Sequence, residues 1–403
     1  MRRNSASRRT ALTLPNGIEV GYSYDNNSRI SAMTWTLAGN QIGDLEYDYD
    51  ADGHVVEKAG SFAQTNLPQP VTGNSFNADN EMTAFNGTAM SYDANGNLLN
   101  DGSNTYAWDT RNHLSAITGA NTASFVYDPL GRRMSKTIGA TATSFLYDGL
   151  NPVQELQSGS PSANMLTGLG IDEYFQRTDA SGASSYLTDA LGSTLALANS
   201  AGGLATSYTY DPFGNTTIAG SSTNPFQFTG RENDGTGLYF YRHRYYHRGF
   251  QRFISQDPLG FIGGINLYSY VSNNPTNFTD RVGLQEEPPD DPEDPESPDN
   301  PDNPYSPNAP LQPTQPPQLS GPGLPPPGLM PPIPNPDQCK IGAPSRPSER
   351  AAGGLSLWDP NGGEWRYSPD DTWHNPHWDY NPWDQGPNTP WQNIPIGGLP
   401  PRK

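Results

Sequence analysis

A Tyr-Asp pair set just ahead of a tight turn recurs about every 20 residues from residue 17 onward, and this recurrence limits what the chain can fold into. Its clearest copies are GYSYDNNSRI from Gly21, YDYDADGHVV from Tyr47, SYDANGNLL from Ser91, VYDPLGRRM from Val126 and TYDPFGNTT from Thr209. Looser copies begin at Tyr106, Phe145, Arg177 and Leu187. In Asp-x-x-Gly the aspartate accepts hydrogen bonds from the turn backbone, and the glycine takes the positive φ that returns the chain as a hairpin. Alternation, as at Tyr22 and Tyr24 or Tyr47 and Tyr49, places both rings on one face of a strand. Units spaced this regularly cover one another's open faces as an array. The fold class that follows is all-β, built of antiparallel hairpins.

Bulky aliphatic residues are sparse over residues 13–284, so the core is expected to be aromatic, with tyrosine rings buried and hydroxyls directed to partners. The run SGSPSANMLTGLG, Ser158 to Gly170, interrupts the repeat and reads as a longer loop. The net charge of −19 disfavours nonspecific nucleic-acid binding by the repeats, which would need clustered cations. About half of that excess lies between Gln285 and Lys340, where ten acidic residues face one lysine. The start, MRRNSASRR, reads as a basic tail over residues 1–12; no apolar run follows it, so a conventional secretory signal is not expected. No stretch has membrane-spanning length. The single cysteine, Cys339, leaves the redox compartment open.

From Tyr210 the text becomes more specific. The motifs NPFQFTGRE, GLYFYRHRYY, RFISQDPLG, GGINLYSYV and NNPTN follow one another up to Leu284. In that order and spacing they resemble the RHS-repeat-associated core of the RHS/YD-repeat family, which includes polymorphic toxins, secreted effectors and cell-surface proteins. The resemblance divides the chain into a repeat array over 13–223, a core block over 224–284, an acidic proline-rich linker over 285–350 and a tryptophan-rich variable tip over 351–403. It implies a spiral β-sheet wound into a shell. At this length an open partial shell is expected, followed by a tether and a small irregular tip. It also implies an aspartic autoprotease in the core, which releases the tip as toxin cargo. Residue by residue, the family aspartates fall on Asp257 and Asp280, its arginine on Arg244, and its scissile bond on Leu284–Gln285. The implied partners are the tip itself, an immunity protein and a secretion apparatus, with export by a specialised route to the cell surface or medium.

Those residue types suit peptide hydrolysis. One carboxylate takes a proton from water while a protonated partner polarises the scissile carbonyl. A fixed guanidinium orients a carboxylate or holds the developing oxyanion. A bond four residues beyond Asp280 is delivered at high effective concentration. Read without the family, either aspartate is by default one more turn residue. Two positions depart from the family pattern: Arg281 stands where proline is expected, and RYYHRGFQRF replaces R-Y-Y-D-P-x-x-G-R-F.

Beyond Leu284 the proline-rich run favours extended conformations. In the tip, His374, His377 and Asp379 lie close together among tryptophans. Pro376 rules out a helical metal-protease geometry, leaving a loop metal site or a His-based nuclease centre against simple packing. No cofactor is implied. The competing readings are a non-enzymatic surface module whose aromatic repeats bind glycans, and a truncated remnant of a longer effector.

Overall fold

The computed structural model describes residues 1–6, 8–284 and five short strands between 340 and 395. The chain divides into two compact units, Met1–Ala309 and Pro310–Lys403. In the first, a six-stranded sheet runs from Arg2–Arg3 to Val55–Ala59, a three-stranded sheet from Ser75–Phe76 to Thr88–Ala89, and a fourteen-stranded sheet from Ser91–Tyr92 to Thr216–Gly220. A four-stranded sheet follows, made of Glu232–Asn233, Leu238–Tyr241, Arg244–His247 and Arg252–Phe253. In every sheet the strand order is the chain order and neighbours pair antiparallel, as short hairpin connections dictate. Among the described residues the helical elements are three single 3₁₀ turns, Phe228–Gly230, Gly260–Ile262 and Val271–Asn273.

The recurring Tyr-Asp pair does two jobs. In the turns at Asp25, Asp128 and Asp211 the first carboxylate oxygen accepts the backbone N–H groups two and four residues on: Asn27 and Arg29, Leu130 and Arg132, and Phe213 and Asn215. The second oxygen is taken by the side chain four residues on, as with Arg29, Arg132 and Asn215. The tyrosine crosses to an earlier strand and donates its hydroxyl to a main-chain carbonyl. Tyr24 reaches Arg9, Tyr49 reaches Ile30, Tyr127 reaches Leu114, Tyr147 reaches Arg133 and Tyr210 reaches Thr194, all at 2.7–2.8 Å. At Tyr24-Asp25, Tyr49-Asp50, Tyr127-Asp128 and Tyr210-Asp211 the unit is thereby capped by its aspartate and fastened to its predecessor by its tyrosine.

The four-stranded sheet is buried on both faces, which accounts for the unbroken apolar run Leu238–Tyr241. Leu238, Phe240 and Tyr245 pack with Leu98, Tyr106, Ile117 and Phe125. Tyr239, Tyr241 and Tyr246 pack with Met165, Tyr186, Tyr208 and Tyr210, farther along the same fourteen-stranded sheet. The long sheet thus lies on both sides of the short one. Arg133, fully buried, fixes the contact: it reaches Asp234 at 2.6 Å and Glu232 at 2.5 Å, Lys136 binds the same two carboxylates, and the guanidinium lies over Phe240 at 4.1 Å.

Three stretches differ from expectation. The Ser158–Gly170 segment is not a loop: Ser160–Thr167 is an eight-residue strand paired with Asn151–Gln157 and Tyr174–Asp179. Pro161 masks it in sequence, and the register shift between Glu155 and Leu156 accommodates that proline. The basic start is not a free tail, because Arg2–Arg3 and Arg9–Thr13 join the first sheet. Its charges find partners there, Arg9 on Glu173 at 2.6 Å and Arg8 over the Tyr24 ring. Among the described residues the second unit carries five short antiparallel strands, Lys340–Gly342, Ser356–Trp358, Glu364–Ser368, His377–Asn381 and Gln392–Pro395, the last four within the tip over 351–403, expected to be irregular. The first of these lies in the stretch read as linker, whose remainder is outside the described residues.

Candidate functional site

Asp257 and Asp280 begin as ordinary turn aspartates and then depart from the pattern. Asp257 Oδ1 accepts the Leu259 N–H at 2.8 Å, and its carbonyl accepts the Gly260 N–H at 2.9 Å. Asp280 Oδ1 accepts the N–H groups of Gly283 and Leu284 at 2.7 and 2.9 Å. Their second oxygens do not turn to the side chain four residues on. Both meet one nitrogen, Arg244 Nη2, which lies 3.0 Å from Asp257 Oδ2 and 3.2 Å from Asp280 Oδ2. All three side chains are buried, at 3% exposure or less.

Arg244 opens the strand Arg244–His247, and packing holds it rigidly. Its guanidinium lies 3.7 Å from the Phe253 ring centre, Nε donates to the Gly283 carbonyl at 2.6 Å, and Nη1 donates to the Leu267 carbonyl at 3.2 Å. Burial lowers its pKa from the usual arginine value, with Asp280 and Asp257 acting in the opposite direction.

The segment before the expected scissile bond is gripped along its backbone. Arg242, His243 and Arg244, three successive residues at a hairpin tip, face three successive carbonyls. Arg242 Nη1 donates to Arg281, His243 Nδ1 donates to Val282 at 2.9 Å, and Arg244 Nε donates to Gly283. The His243 amide also donates to Val282, at 3.2 Å. Desolvation of its ring lowers the His243 pKa although the residue stays exposed at the hairpin tip, opposed by its bond to the Val282 carbonyl and reinforced by the cation at Arg242; the neutral ring carries its proton on Nδ1, which faces that carbonyl. Arg242 sits at φ 60°, in the first loop position of a two-residue hairpin where glycine is favoured. Asp172 holds it there through both carboxylate oxygens while also pairing with Arg231.

Leu284 lies beside the first aspartate. A methyl group placed on Gly263 would sit 2.5 Å from Asp257 Oδ2 and 3.1 Å from the Leu284 carbonyl oxygen, so those two oxygens converge on one small space. Gly283 approaches closely too: its φ is 77°, and a side chain there would meet the Tyr241 carbonyl at 2.3 Å.

Of the residues singled out in the sequence, Asp257, Asp280, Arg244 and Leu284 come together. Gln285 and His374 lie outside the described residues, and His377 and Asp379 fall on the strand His377–Asn381. Among the described residues no cluster of three His, Cys, Asp or Glu could hold a metal ion. Sequence reading missed Arg242, His243, Asp172 and Gly263. Basic residues at a hairpin tip look like solvated charge, and nothing local distinguishes Gly263 from a turn glycine. The altered RYYHRGFQRF turn keeps its cap: His247 Nδ1 accepts the Phe250 N–H at 3.0 Å, and the ring stacks on Phe250.

Comparison with known proteins agrees with the motifs. The profile of the Teneurin YD-shell family matches residues 12–276, well over half of the chain. The chain belongs to the YD-shell family. It is 32% identical over 258 residues to the tRNA3(Ser)-specific nuclease WapA of Bacillus spizizenii, a match covering 59% of this chain and 11% of that protein. It is 38% identical over 81 residues to the toxin subunit YenC2 of Yersinia entomophaga, covering 19% of this chain and 8% of that one. The solved TcdB2-TccC3 structure shares the fold, with a TM-score of 0.54 and 19% identity over 70% of this chain and 19% of that chain. This YD-shell therefore spans about a tenth of the length of the WapA protein it matches.

Proposed function

We propose that the core block is an aspartic self-cleaving peptidase that cuts the Leu284–Gln285 bond once and frees the residues beyond it. One observation carries this reading. Asp257 and Asp280 leave the pairing that Asp25, Asp128 and Asp211 keep and converge on one buried guanidinium nitrogen, beside the Leu284 carbonyl.

In the proposed reaction a water oxygen adds to the Leu284 carbonyl carbon. One aspartate takes the water proton while the other, protonated, donates to the carbonyl oxygen; Asp257 Oδ2 shares the space beside Gly263 with that oxygen and is assigned the donor role. Collapse breaks the C–N bond, the Gln285 nitrogen takes a proton, and Leu284 keeps the new carboxylate. Arg244 orients both acids and offsets the charge that develops.

Released residues 285–403 are cargo under this reading, with an immunity protein and a secretion apparatus as partners and delivery outside the cell. Two relatives named as a nuclease and a toxin subunit support a toxin context. The family match ends at residue 276, before the tip, so no relative's activity is assigned to the tip. The fastening of repeat tyrosines to backbone carbonyls favours packing over a glycan-binding shelf.

Expression of the full chain followed by a denaturing gel and N-terminal sequencing tests the proposal. A fragment beginning at Gln285, lost in Asp257→Asn and in Asp280→Asn, is the expected result. An intact chain in all three would overturn it.

A further inference from the structure

Peptide hydrolysis needs its bond held still, and the hairpin tip Arg242–Arg244 supplies more grip than the two acids require. From Arg281 to Leu284 the main chain is held from two sides. The carbonyls of Arg281, Val282 and Gly283 point to Arg242, His243 and Arg244, and the N–H groups of Gly283 and Leu284 point to Asp280 Oδ1. These contacts use main-chain atoms of the strip, which any residue except proline presents alike. At Gly283 the backbone approaches too closely for a side chain, with the Tyr241 carbonyl 2.3 Å from where Cβ would lie.

Resting on the self-cleavage reading, we infer that Arg242 and His243 are positioning residues. With Arg244 they form a clamp that selects the scissile bond by its backbone distance from Asp280, not by recognising the leucine side chain. Gly283 is the one residue of the strip whose identity is dictated, because it alone combines a positive φ with contact against the hairpin. Asp172 belongs to the device: both its oxygens hold the Arg242 guanidinium, and Arg242 Nη2 also reaches the Leu150 carbonyl at 3.2 Å, which ties the clamp to the repeat array. Arg242 holds its φ of 60° while its side chain reaches across to the Arg281 carbonyl.

An alanine inserted between Gly283 and Leu284 separates the two modes of selection. A clamp that counts backbone positions cuts after the inserted alanine, so the fragment begins Leu-Gln-Glu. Recognition of leucine cuts one residue later, so the fragment begins Gln-Glu-Glu and the inference falls. Loss of cutting would also overturn it, since the insertion leaves residues 281–283 in place. Arg242→Ala should slow the appearance of the fragment by at least about tenfold, with partial rescue by Arg242→Lys. Hydrogen exchange measured on the uncut Asp257→Asn chain tests the clamp independently of hydrolysis. The amides of Gly283 and Leu284 should be protected there, and adding Arg242→Ala should speed their exchange at least about tenfold. Free exchange in the Asp257→Asn chain itself would sink the clamp even if the unmodified chain cuts itself. Protection together with an uncut unmodified chain would uphold the clamp and reject the peptidase.

Discussion

At the scale of single residues, Gly263 offers a sharp test of the site. Its φ of −77° suits any residue, so alanine there brings no backbone strain. The added methyl would enter the space between Asp257 Oδ2 and the Leu284 carbonyl oxygen. Gly263→Ala should therefore slow self-cleavage by at least about tenfold, on the reasoning that a small misplacement of reacting atoms costs orders of magnitude in rate. Circular dichroism melts should fall only slightly, since the Asp257 carboxylate alone has to give way, and a large fall in melting temperature would instead mark the glycine as structural. Asp128 is the counterpart. Asp128→Ala removes a turn cap holding two backbone N–H groups and an arginine, and should cost about 1–2 kcal/mol by denaturant titration while leaving the fragment's yield intact. The contrast marks the limit of what the sequence discloses. Aspartate at a turn is legible from Asp-x-x-Gly, but which oxygen is left over and where it points depends on Arg244, 13 residues from one aspartate and 36 from the other.

At the scale of elements, the hairpin between Arg244–His247 and Arg252–Phe253 carries a histidine where the family has aspartate. Burial pushes the His247 pKa down to about 4 from 6.5, with Asp101 acting the other way. The unfolded chain then binds the extra proton first. Stability from this group is complete above about pH 6.5 and is lost as pH falls toward 4, on the order of 3 kcal/mol. Thermal melts from pH 7.5 to 4 should show that loss, and His247→Gln should flatten it; an unchanged slope would rule the histidine out as its source. Elements were legible wherever the Tyr-Asp pair recurred. They were hidden where proline entered a strand, as at Pro161 in Ser160–Thr167. They were hidden also where charge suggested a tail, as at Arg9–Thr13, whose partner Glu173 lies 164 residues away.

At the scale of the first unit, the four-stranded sheet is held in the bend of the long sheet by two buried acids and two cations. Glu232→Gln leaves Arg133 and Lys136 short of one carboxylate in a dry site, and should cost about 3–5 kcal/mol in denaturant unfolding. A cost near zero would show that the cluster only aligns the sheets. The sheets also end in unclosed edges. Thr216–Gly220 is the terminal strand of the fourteen, mostly exposed, with Ile218 45% exposed. Concentration-dependent association is expected in sedimentation velocity and should weaken in Ile218→Lys; a monomer at all concentrations would show the edge to be harmless.

The long-range fastenings have a temporal consequence. Repeat arrays usually build up neighbour by neighbour. Here, however, Asn277 accepts the Val55 amide across 222 residues, and the Tyr268 hydroxyl reaches Gly96 across 172. Contacts that distant close late, because the loop entropy must be overcome first. Hydrolysis by a site seated on those closures would be an inspection step, withheld from a nascent or misassembled polypeptide and granted when its final segment docks.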